Sequence, residues 1–599
     1  MLNISLGMNR PGVSAPNDAD LHVATSATPS YSKKHFCFYC QKFQVKIARH
    51  LEAVHGNEEE VKKFTRLAIK SKVRKAVIAE IRKKGNHLHN NDTRFNTGEL
   101  LVCRRPNVRM QRGAGDYLAC GNCKGQYARS SIGHHFSECT GTSGKSEHIA
   151  VSSGKKATAR LHETANVLVR KWIFPYLRED AIVRGIRYDE LIILYANKEC
   201  EKYGAHQHHY AMIGARLRLL GRFFEAIKVL KPAIKVFADV YIPRHYDSAI
   251  AAVRVVANFN EETRMFAHPA VASNLGTLIK YCGEILRSEK IKTELAAEQK
   301  QVEDFLKLMA EGFGTSINRA VAETQAQNNR RKKVVLPLDE DIKKLDNFIK
   351  SERTKYFNEL KEKFSFLAWK KLAEATLLSL QTFNRRRPGE IERIHVQDFE
   401  THQNIDKVAN KDSYERLSGE GKKLAKEFVR FEIRGKRGRG VPVLVDKSVF
   451  DCMQLLLAYR AEAGVAGKNP HFFALPSSNE ECYRYLRACN LMREFSQKCG
   501  ASIPNTLRGT QLRKHIATRC IQLNLKSGQV TNLANFLGHE EKIHKDIYRQ
   551  PVLETDIIEM SKILKIAQGH DDSSDESEEN ETDNLNSREV PKKRSRFQG

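Results

Sequence analysis

Two sets of cysteine and histidine residues near the N-terminus have the spacing of metal ligands. In the first set, Cys37, Cys40, His50 and His55, two, nine and four residues separate successive members. Two thiolates on a tight turn and two imidazoles about one helical turn apart can converge on one tetrahedral zinc ion. The nine-residue loop is shorter than the spacing of about 12 in the usual finger. We therefore expect a compressed ββα unit.

The second set combines three cysteines with one histidine: Cys120, Cys123, His135 and Cys139. His134 is an alternative ligand, but His135 is preferred because Ile132 then lies one turn earlier and can face a small core. Four protein ligands close the coordination sphere of zinc. Both zinc ions are therefore predicted to be structural and to contribute folding free energy rather than catalysis.

Five residues in the C-terminal half could together do chemistry on a phosphate: two arginines, a lysine, a histidine and a tyrosine. They are Arg387, Lys436, Arg513, His539 and Tyr548. The first arginine ends an apolar helical run and precedes a Pro-Gly-Glu turn. The lysine lies at the tip of a β-hairpin predicted over residues 431–443, where two β-prone runs flank a glycine-rich basic turn. The tyrosine follows the histidine by nine residues.

This order of residues resembles the tyrosine recombinase and phage-integrase family, over about residues 336–568. The resemblance implies that Tyr548 attacks a DNA phosphodiester and holds the 3′-phosphate covalently. It implies that Arg387 and Arg513 bind the non-bridging oxygens and that Lys436 protonates the leaving 5′-oxygen. His539 would contact the phosphate or steer the tyrosine. No catalytic metal is required, because the guanidinium groups supply the positive charge.

One position departs from the family pattern. The family usually has a histidine three residues before the second arginine, as proton acceptor for the tyrosine, and this chain has Thr510. His515 and His544 are possible replacements, although His515 follows Arg513 by two residues and so points to another side of a helix. Two hypotheses stay open: a DNA strand transferase, or a transposon-derived nuclear DNA-binding protein that has lost strand transfer.

The elements that must position these residues divide the chain into five segments. We expect a disordered lead (1–30), a zinc-finger region (31–145, with fingers at 37–55 and 120–139), an all-α core-binding domain (155–327), a mixed α+β catalytic domain (336–568) and a charged disordered tail (570–599). Apolar stripes at helical spacing, Leu161 to Tyr176 and Leu275 to Leu286, predict two helices of the all-α domain. This combination of fingers, helical block and recombinase motif also resembles animal proteins related to Crypton-type DNA transposons.

Charge and composition indicate a nucleic-acid partner. The 599 residues include 100 Lys and Arg against 71 Asp and Glu, a formal net charge of +29, which attracts polyanions. The sequence contains no apolar run of about 18 residues, the length that would predict a membrane span. The first 30 residues lack the basic-then-apolar order of a secretion signal. The odd number of cysteines, 13, argues against a disulfide framework. Eight of them, outside the ligand sets, are predicted to be small buried apolar residues.

The expected partners are double-stranded DNA and, on DNA, further copies of this chain. A basic segment predicted to be a DNA-contacting hinge contains Arg330, Arg331, Lys332 and Lys333. An apolar C-terminal helix over about 553–567 could dock on a neighbouring subunit or pack against its own chain. The basic cluster Pro591–Arg596 predicts nuclear import.

Overall fold

The computed structural model describes residues 21–27, 33–92, 95–96, 98–140, 147–158, 161–403, 414–477, 479–523, 525–538, 548, 550, 557–558 and 560–568. The chain forms two compact units, residues 1–332 and 333–599. It is mostly helical, and the strands of the described residues form small two-stranded sheets. Among the described helices, none combines the length and the apolar character needed to cross a bilayer.

The finger region of the first unit contains, in chain order, β1 (His35–Phe36), β2 (Phe43–Gln44), α1 (Ile47–Val54), α2 (Glu59–Thr65), α3 (Lys72–Asn91), β3 (Tyr117–Ala119), β4 (Gln126–Ala128), α4 (Ile132–Thr140) and α5 (Glu147–Thr158). Both strand pairs are antiparallel. The first finger shares its core with α2 and α3, through Leu51, Val61, Phe64 and Ile81. These helices supply apolar area that a short finger lacks.

Part of the expected disordered lead is folded. Leu21 and Val23 are buried in a cluster with Leu100, Val102 and Tyr117. The backbone of His22 donates to Gly98 at 2.7 Å and accepts from Leu100 at 2.9 Å. The expectation of a free lead is therefore wrong for residues 21–24, because these apolar side chains complete the core beside the second finger. Residues 1–20 lie outside the described residues.

The helical block contains α6 (Ala181–Ile186), α7 (Glu190–Tyr203), α8 (Tyr210–Leu230), α9 (Tyr246–Val256), β5 (Phe259–Asn260), β6 (Met265–Phe266), α10 (Pro269–Lys292), α11 (Ala296–Phe313) and α12 (Arg319–Arg331). The predicted stripe Leu275–Leu286 lies in α10 and is buried. Most of the stripe at 161–176 is also core, but Tyr176 is exposed and the regular part is shorter than the predicted helix. A π-helical turn spans Val169–Ile173, and the Asn166 side chain accepts the Val169 N–H at 2.9 Å.

The second unit contains α13 (Asp339–Glu362), α14 (Phe366–Asn384), α15 (Pro388–Ile391), α16 (Val396–Glu400), α17 (Gly419–Glu427), β7 (Phe428–Arg434), β8 (Gly440–Asp446), α18 (Lys447–Ala458), α19 (Ala488–Lys498), α20 (Gly509–Gln522), α21 (Ser527–Phe536) and α22 (Met560–Ala567). The predicted hairpin is confirmed as β7 and β8, paired antiparallel from Phe428 opposite Asp446 to Arg434 opposite Gly440. The central element is α14, which is buried along nearly its whole length.

Two further expectations need correction. The basic hinge is partly helical, because Arg330 and Arg331 are the last residues of α12. All thirteen cysteines are free thiols, but the eight outside the ligand sets are not uniformly buried. Cys200, Cys282, Cys452 and Cys520 are buried as expected, whereas Cys489 is exposed.

Candidate functional site

The end of α14 turns the chain so that three consecutive arginines lie in different environments. Arg385 follows the helix with φ 51°, in the left-handed region where helices commonly end at glycine or asparagine. Arg387 is extended and caps α15, whose first residue is Pro388. Proline suits this position because its fixed φ is already helical. The turn leads one arginine into the core and leaves the next at the surface.

Arg386 is the arginine that enters the core, with a relative exposure of 0%. Its Nε donates to the carbonyl of Pro442 on β8 at 3.1 Å, and its guanidinium lies 4.7 Å from the ring centroid of Phe536. Its Nη1 has no hydrogen-bond partner among the described residues. Burial lowers the pKa of Arg386 to about 10, so the group stays cationic near neutral pH. Sequence reasoning missed this residue, and its signal was the run of three arginines.

Arg387, the arginine predicted to bind phosphate, is half-buried. Its Nη1 pairs with Glu390 Oε1 at 2.9 Å, and the glutamate side chain is 6% exposed. A carboxylate held this way orients the guanidinium while leaving further donors available. Sequence reasoning assigned no role to Glu390.

Arg513 lies on α20 and is buried. Its Nη1 donates to the carbonyl of Arg385 at 2.8 Å, and its Nη2 donates to the carbonyl of Leu537 at 3.1 Å. Burial lowers the pKa of Arg513, and the positive charge of Arg387 acts in the same direction, whereas Tyr548 raises it. The guanidinium carbon lies 5.1 Å from the ring centroid of Tyr548. The predicted residues Arg387, Arg513 and Tyr548 therefore lie near one another.

Two glycines permit the close approaches that build this cluster. A Cβ on Gly509, at the start of α20, would lie 2.8 Å from Cγ of Pro388. Gly538 has φ +69°, and a Cβ there would lie 3.4 Å from Arg386 Nη1 and 3.8 Å from Arg387 Nη1. The chain therefore passes directly over the arginines just before His539. His539 itself and His544 lie outside the described residues.

The segment that carries Tyr548 packs on α20. The Gln550 N–H donates to Thr518 Oγ1 at 3.0 Å, and Lys514 Nζ approaches Gln550 Oε1 at 3.5 Å. These contacts join Gln550, two residues after Tyr548, to the helix that carries Arg513. Tyr548 is held beside Arg513 within its own chain.

Lys436, Thr510 and His515 face solvent or make other contacts. Lys436 is exposed in the turn of the β7–β8 hairpin. Thr510 is exposed in the first turn of α20. His515 Nε2 pairs with Asp339 Oδ1 at 3.0 Å, and burial lowers the pKa of this histidine. Asp339 also binds Arg519 at 2.8 Å, so His515 is part of an ion-pair group with α13.

Each Cys/His set lies on a small ββα unit. The ligand atoms of Cys37, Cys40, His50 and His55 all lie within 4.8 Å of one another. Cys40 Sγ lies 3.2 Å from His50 Nε2. His55 Nε2 is buried and has no hydrogen-bond partner among the described residues, as expected for an atom that faces a metal. Thiolate and imidazole donors suit zinc, so these residues fit the ion. The two-residue strands agree with the expected compression.

The second set, Cys120, Cys123, His135 and Cys139, forms the same kind of cluster within 4.8 Å. His135 stacks on Tyr127 with ring centroids 3.7 Å apart. The rejected alternative, His134, is exposed and lies 3.6 Å from Glu138.

Each of the two sets contains a backbone turn of the same type. The N–H of Gln41 donates to Cys37 at 3.1 Å, and that of Lys124 donates to Cys120 at 2.9 Å. Both donors have positive φ, 56° and 62°. These matching turns aim both thiols of each pair at one point.

The predicted DNA-contacting cations Arg330, Arg331, Lys332 and Lys333 are all exposed. Arg330 lies 3.9 Å from Glu323, with both side chains more than two-thirds exposed. Water screens such a pair strongly. The segment therefore presents four cations to solvent.

Comparison with known proteins gives a limited result. No protein-family model matches the chain, and no curated protein matches it. Among solved structures, the post-cleavage complex of XerH site-specific recombinase with palindromic difH substrate is 12% identical over 63% of this chain and 89% of that chain, with a TM-score of 0.32. The pre-cleavage complex of XerH with difH is 14% identical over 58% of this chain and 96% of that chain, with a TM-score of 0.25. At these TM-scores, the function of this chain must be inferred from its own residues.

Proposed function

We propose that the chain is a DNA-binding strand transferase of the tyrosine-recombinase type, which cleaves and rejoins DNA through a 3′-phosphotyrosine intermediate. The observation that carries the proposal is the convergence of Arg387, Arg513 and Tyr548. Arg385 and Arg513, 128 positions apart along the chain, are joined by a hydrogen bond of 2.8 Å. This contact brings the second predicted arginine to the turn that carries the first.

The chemistry follows from these side chains. The Tyr548 oxygen attacks the scissile phosphorus, and the bond from phosphorus to the 5′-oxygen breaks while the phosphotyrosine bond forms. Arg387 and Arg513 bind the non-bridging oxygens, where negative charge builds in the transition state. Because one phosphodiester replaces another, the bond energy is conserved. A 5′-hydroxyl can then attack the phosphotyrosine and release the tyrosine.

The departing 5′-oxygen needs a proton, and we assign this donor role to Lys436. Its hairpin is tied to the arginine turn at two places: Arg386 donates to Pro442, and Asn384 pairs with Leu444. The hairpin base is therefore fixed, while the exposed turn remains accessible to a DNA backbone. Arg386 adds a buried positive charge beside Gly538, and this charge strengthens the attraction for phosphate where water is excluded.

The residue that accepts the proton of Tyr548 separates the two candidate functions. Thr510 cannot act as a base near neutral pH, and His515 pairs with Asp339 through Nε2 while its Nδ1 is buried. These two observations favour a second candidate function, a transposon-derived nuclear DNA-binding protein that has lost strand transfer. In that case the arginine cluster binds a backbone phosphate without cleavage.

The remaining parts of the chain fit both candidates. We propose structural zinc at both Cys/His clusters, nuclear localisation through the 591–596 basic segment, and duplex DNA as partner. For DNA-dependent self-association, α22 offers an exposed apolar surface. Its apolar side chains Met560, Ile563, Leu564 and Ile566 are all more than two-fifths exposed.

A covalent trapping experiment tests the proposal. The zinc-loaded full chain first selects its binding site from random duplexes, and a nicked duplex with that site then serves as suicide substrate. The enzyme proposal expects a covalent protein–DNA species that Tyr548→Phe abolishes without loss of DNA affinity. Arg513→Ala should slow its formation by about 100- to 1000-fold, the scale for one preorganised donor. DNA binding with no covalent species would leave the second candidate.

A further inference from the structure

A cavity of about 500 Å³ lies between the second finger and the helical block, within the first unit. One wall is the glycine-rich loop 113–116, and another is the segment that contains Phe174 and Pro175. Helix α5 joins the two sides. A Cβ on its Gly154 would lie 3.0 Å from the carbonyl of Ala119, and its Lys155 donates to the carbonyl of Leu177 at 3.0 Å. The cavity is therefore part of a packed interface and not a gap between mobile pieces.

Positive charge dominates the lining. Five cationic residues, Arg129, Lys155, Arg170, Arg184 and Arg187, line the cavity with two acids, Asp116 and Glu179. The acids are already engaged in contacts within the chain. Glu179 pairs with Arg187 at 2.7 Å, and Asp116 Oδ2 accepts the Gly113 N–H at 3.0 Å.

Among the described residues, three of the cations form no ion pair. Arg129 donates to the carbonyl of Gly115 at 2.8 Å, and Lys155 has its main-chain contact with Leu177. In the described part of the chain, no carboxylate forms an ion pair with Arg129, Lys155 or Arg184. Burial lowers the pKa of Lys155; the negative charge of Glu179 opposes this effect, whereas the positive charges of Arg129 and Arg187 add to it. An anion in the cavity would relieve this repulsion.

The size and the apolar wall narrow the class of anion. A volume of about 500 Å³ suits a small organic molecule, since such sites range from about 300 to 1,000 Å³, and it is too small for a duplex. Leu161 and Phe174 provide apolar surface in the same lining. We propose that this cavity binds an organic phosphate of nucleotide size, with the phosphates at Arg129, Lys155 and Arg184 and the apolar part against Phe174. The site is independent of the strand-transfer function proposed above.

Calorimetric titration of the zinc-loaded full chain tests the site, with ATP as probe and with pyrophosphate and adenosine as its two halves. ATP should bind more tightly than pyrophosphate, and adenosine most weakly. Arg184→Ala and Lys155→Ala should each weaken ATP binding about tenfold, the scale for one hydrogen bond to a charged group. Lys198→Ala is the matched control, because Lys198 on α7 is exposed and pairs with Glu201. Arg184 is exposed, so its substitution should leave the fold intact.

Three results would overturn the proposal. ATP that fails to bind at millimolar concentration would exclude the site. Equal weakening by Arg184→Ala and Lys198→Ala would mean that the overall charge attracts ATP. Displacement of ATP by a duplex, together with loss of duplex affinity in Arg184→Ala, would make the cavity part of the DNA-contacting surface instead.

Discussion

The side-chain amide of Asn384 pairs with both backbone groups of Leu444. Its Nδ2 donates to the Leu444 carbonyl at 2.8 Å, and the Leu444 N–H donates to its Oδ1 at 2.8 Å. The asparagine thus binds the edge of β8 as a neighbouring strand would. This pair fixes the start of the arginine turn to the hairpin that carries Lys436.

Asn384→Ala should lower the free energy of unfolding by about 2–4 kcal/mol, because two backbone groups of Leu444 lose their partners. Chemical denaturation of the full chain measures this change. Asn490→Ala is the control, since Asn490 is exposed on α19 in the same unit. A destabilisation no larger than that of the control would mean that the pair does not hold the hairpin.

Arg386→Leu should change the rate of covalent complex formation more than it changes the free energy of unfolding. Leucine removes a buried charge but leaves the Pro442 carbonyl without its donor, so the free energy of unfolding should change by less than about 2 kcal/mol. Covalent complex formation should fall about tenfold, because a positive charge near the phosphate is removed from a water-excluded site. Arg386→Lys should restore part of that rate. An unchanged cleavage rate in Arg386→Leu would limit Arg386 to a packing role.

Thr510→His tests the missing proton acceptor. Thr510 is exposed, so a histidine can replace it without disturbing the core. If the site lacks only a base, trapping on the nicked duplex should rise by up to about 100- to 10,000-fold, the range for positioned acid–base catalysis. Thr510→Gln, which cannot accept the proton, should stay at the wild-type rate. If neither wild type nor Thr510→His forms the covalent complex with the nicked duplex, the enzyme proposal is wrong.

Metal analysis of adjacent histidine variants tests the second zinc site. Wild-type protein should contain about two zinc ions per chain, one for each four-ligand cluster. His135→Ala should lose about one of them and destabilise the second finger, because zinc binding supplies folding free energy. His134→Ala should keep both, since His134 is exposed beside Glu138. Zinc loss from His134→Ala instead would reverse the ligand assignment.

Replacement of Arg330, Arg331, Lys332 and Lys333 by alanine should reduce the salt dependence of duplex binding. Each phosphate that the variant no longer neutralises should flatten the log–log slope by about 0.9. The control removes the same charge from four lysines that pair with carboxylates: Lys198, Lys292, Lys300 and Lys350. Equal slopes for the two variants would exclude the 330–333 segment from the DNA interface.

The sequence by itself determined the features that depend on short spacing. Both Cys/His sets, the preference for His135 and the β7–β8 hairpin could be predicted, because ligand spacing and strand alternation act over a few residues. The order Arg387, Lys436, Arg513, His539 and Tyr548 was also visible as a pattern. Its geometry was not, because no local rule gives the distance between side chains on separate elements.

The tertiary structure alone decided which residues share an environment. Arg386 and Arg387 are neighbours in sequence, yet one is buried against Pro442 and the other pairs with Glu390. His515 pairs through Nε2 with Asp339, 176 residues away along the chain, and its Nδ1 is buried. Leu21 and Val23 are folded because a distant core accepts them. Burial depends on contacts between segments that are far apart in the sequence. Short-range patterns of residue type and spacing do not reveal those contacts.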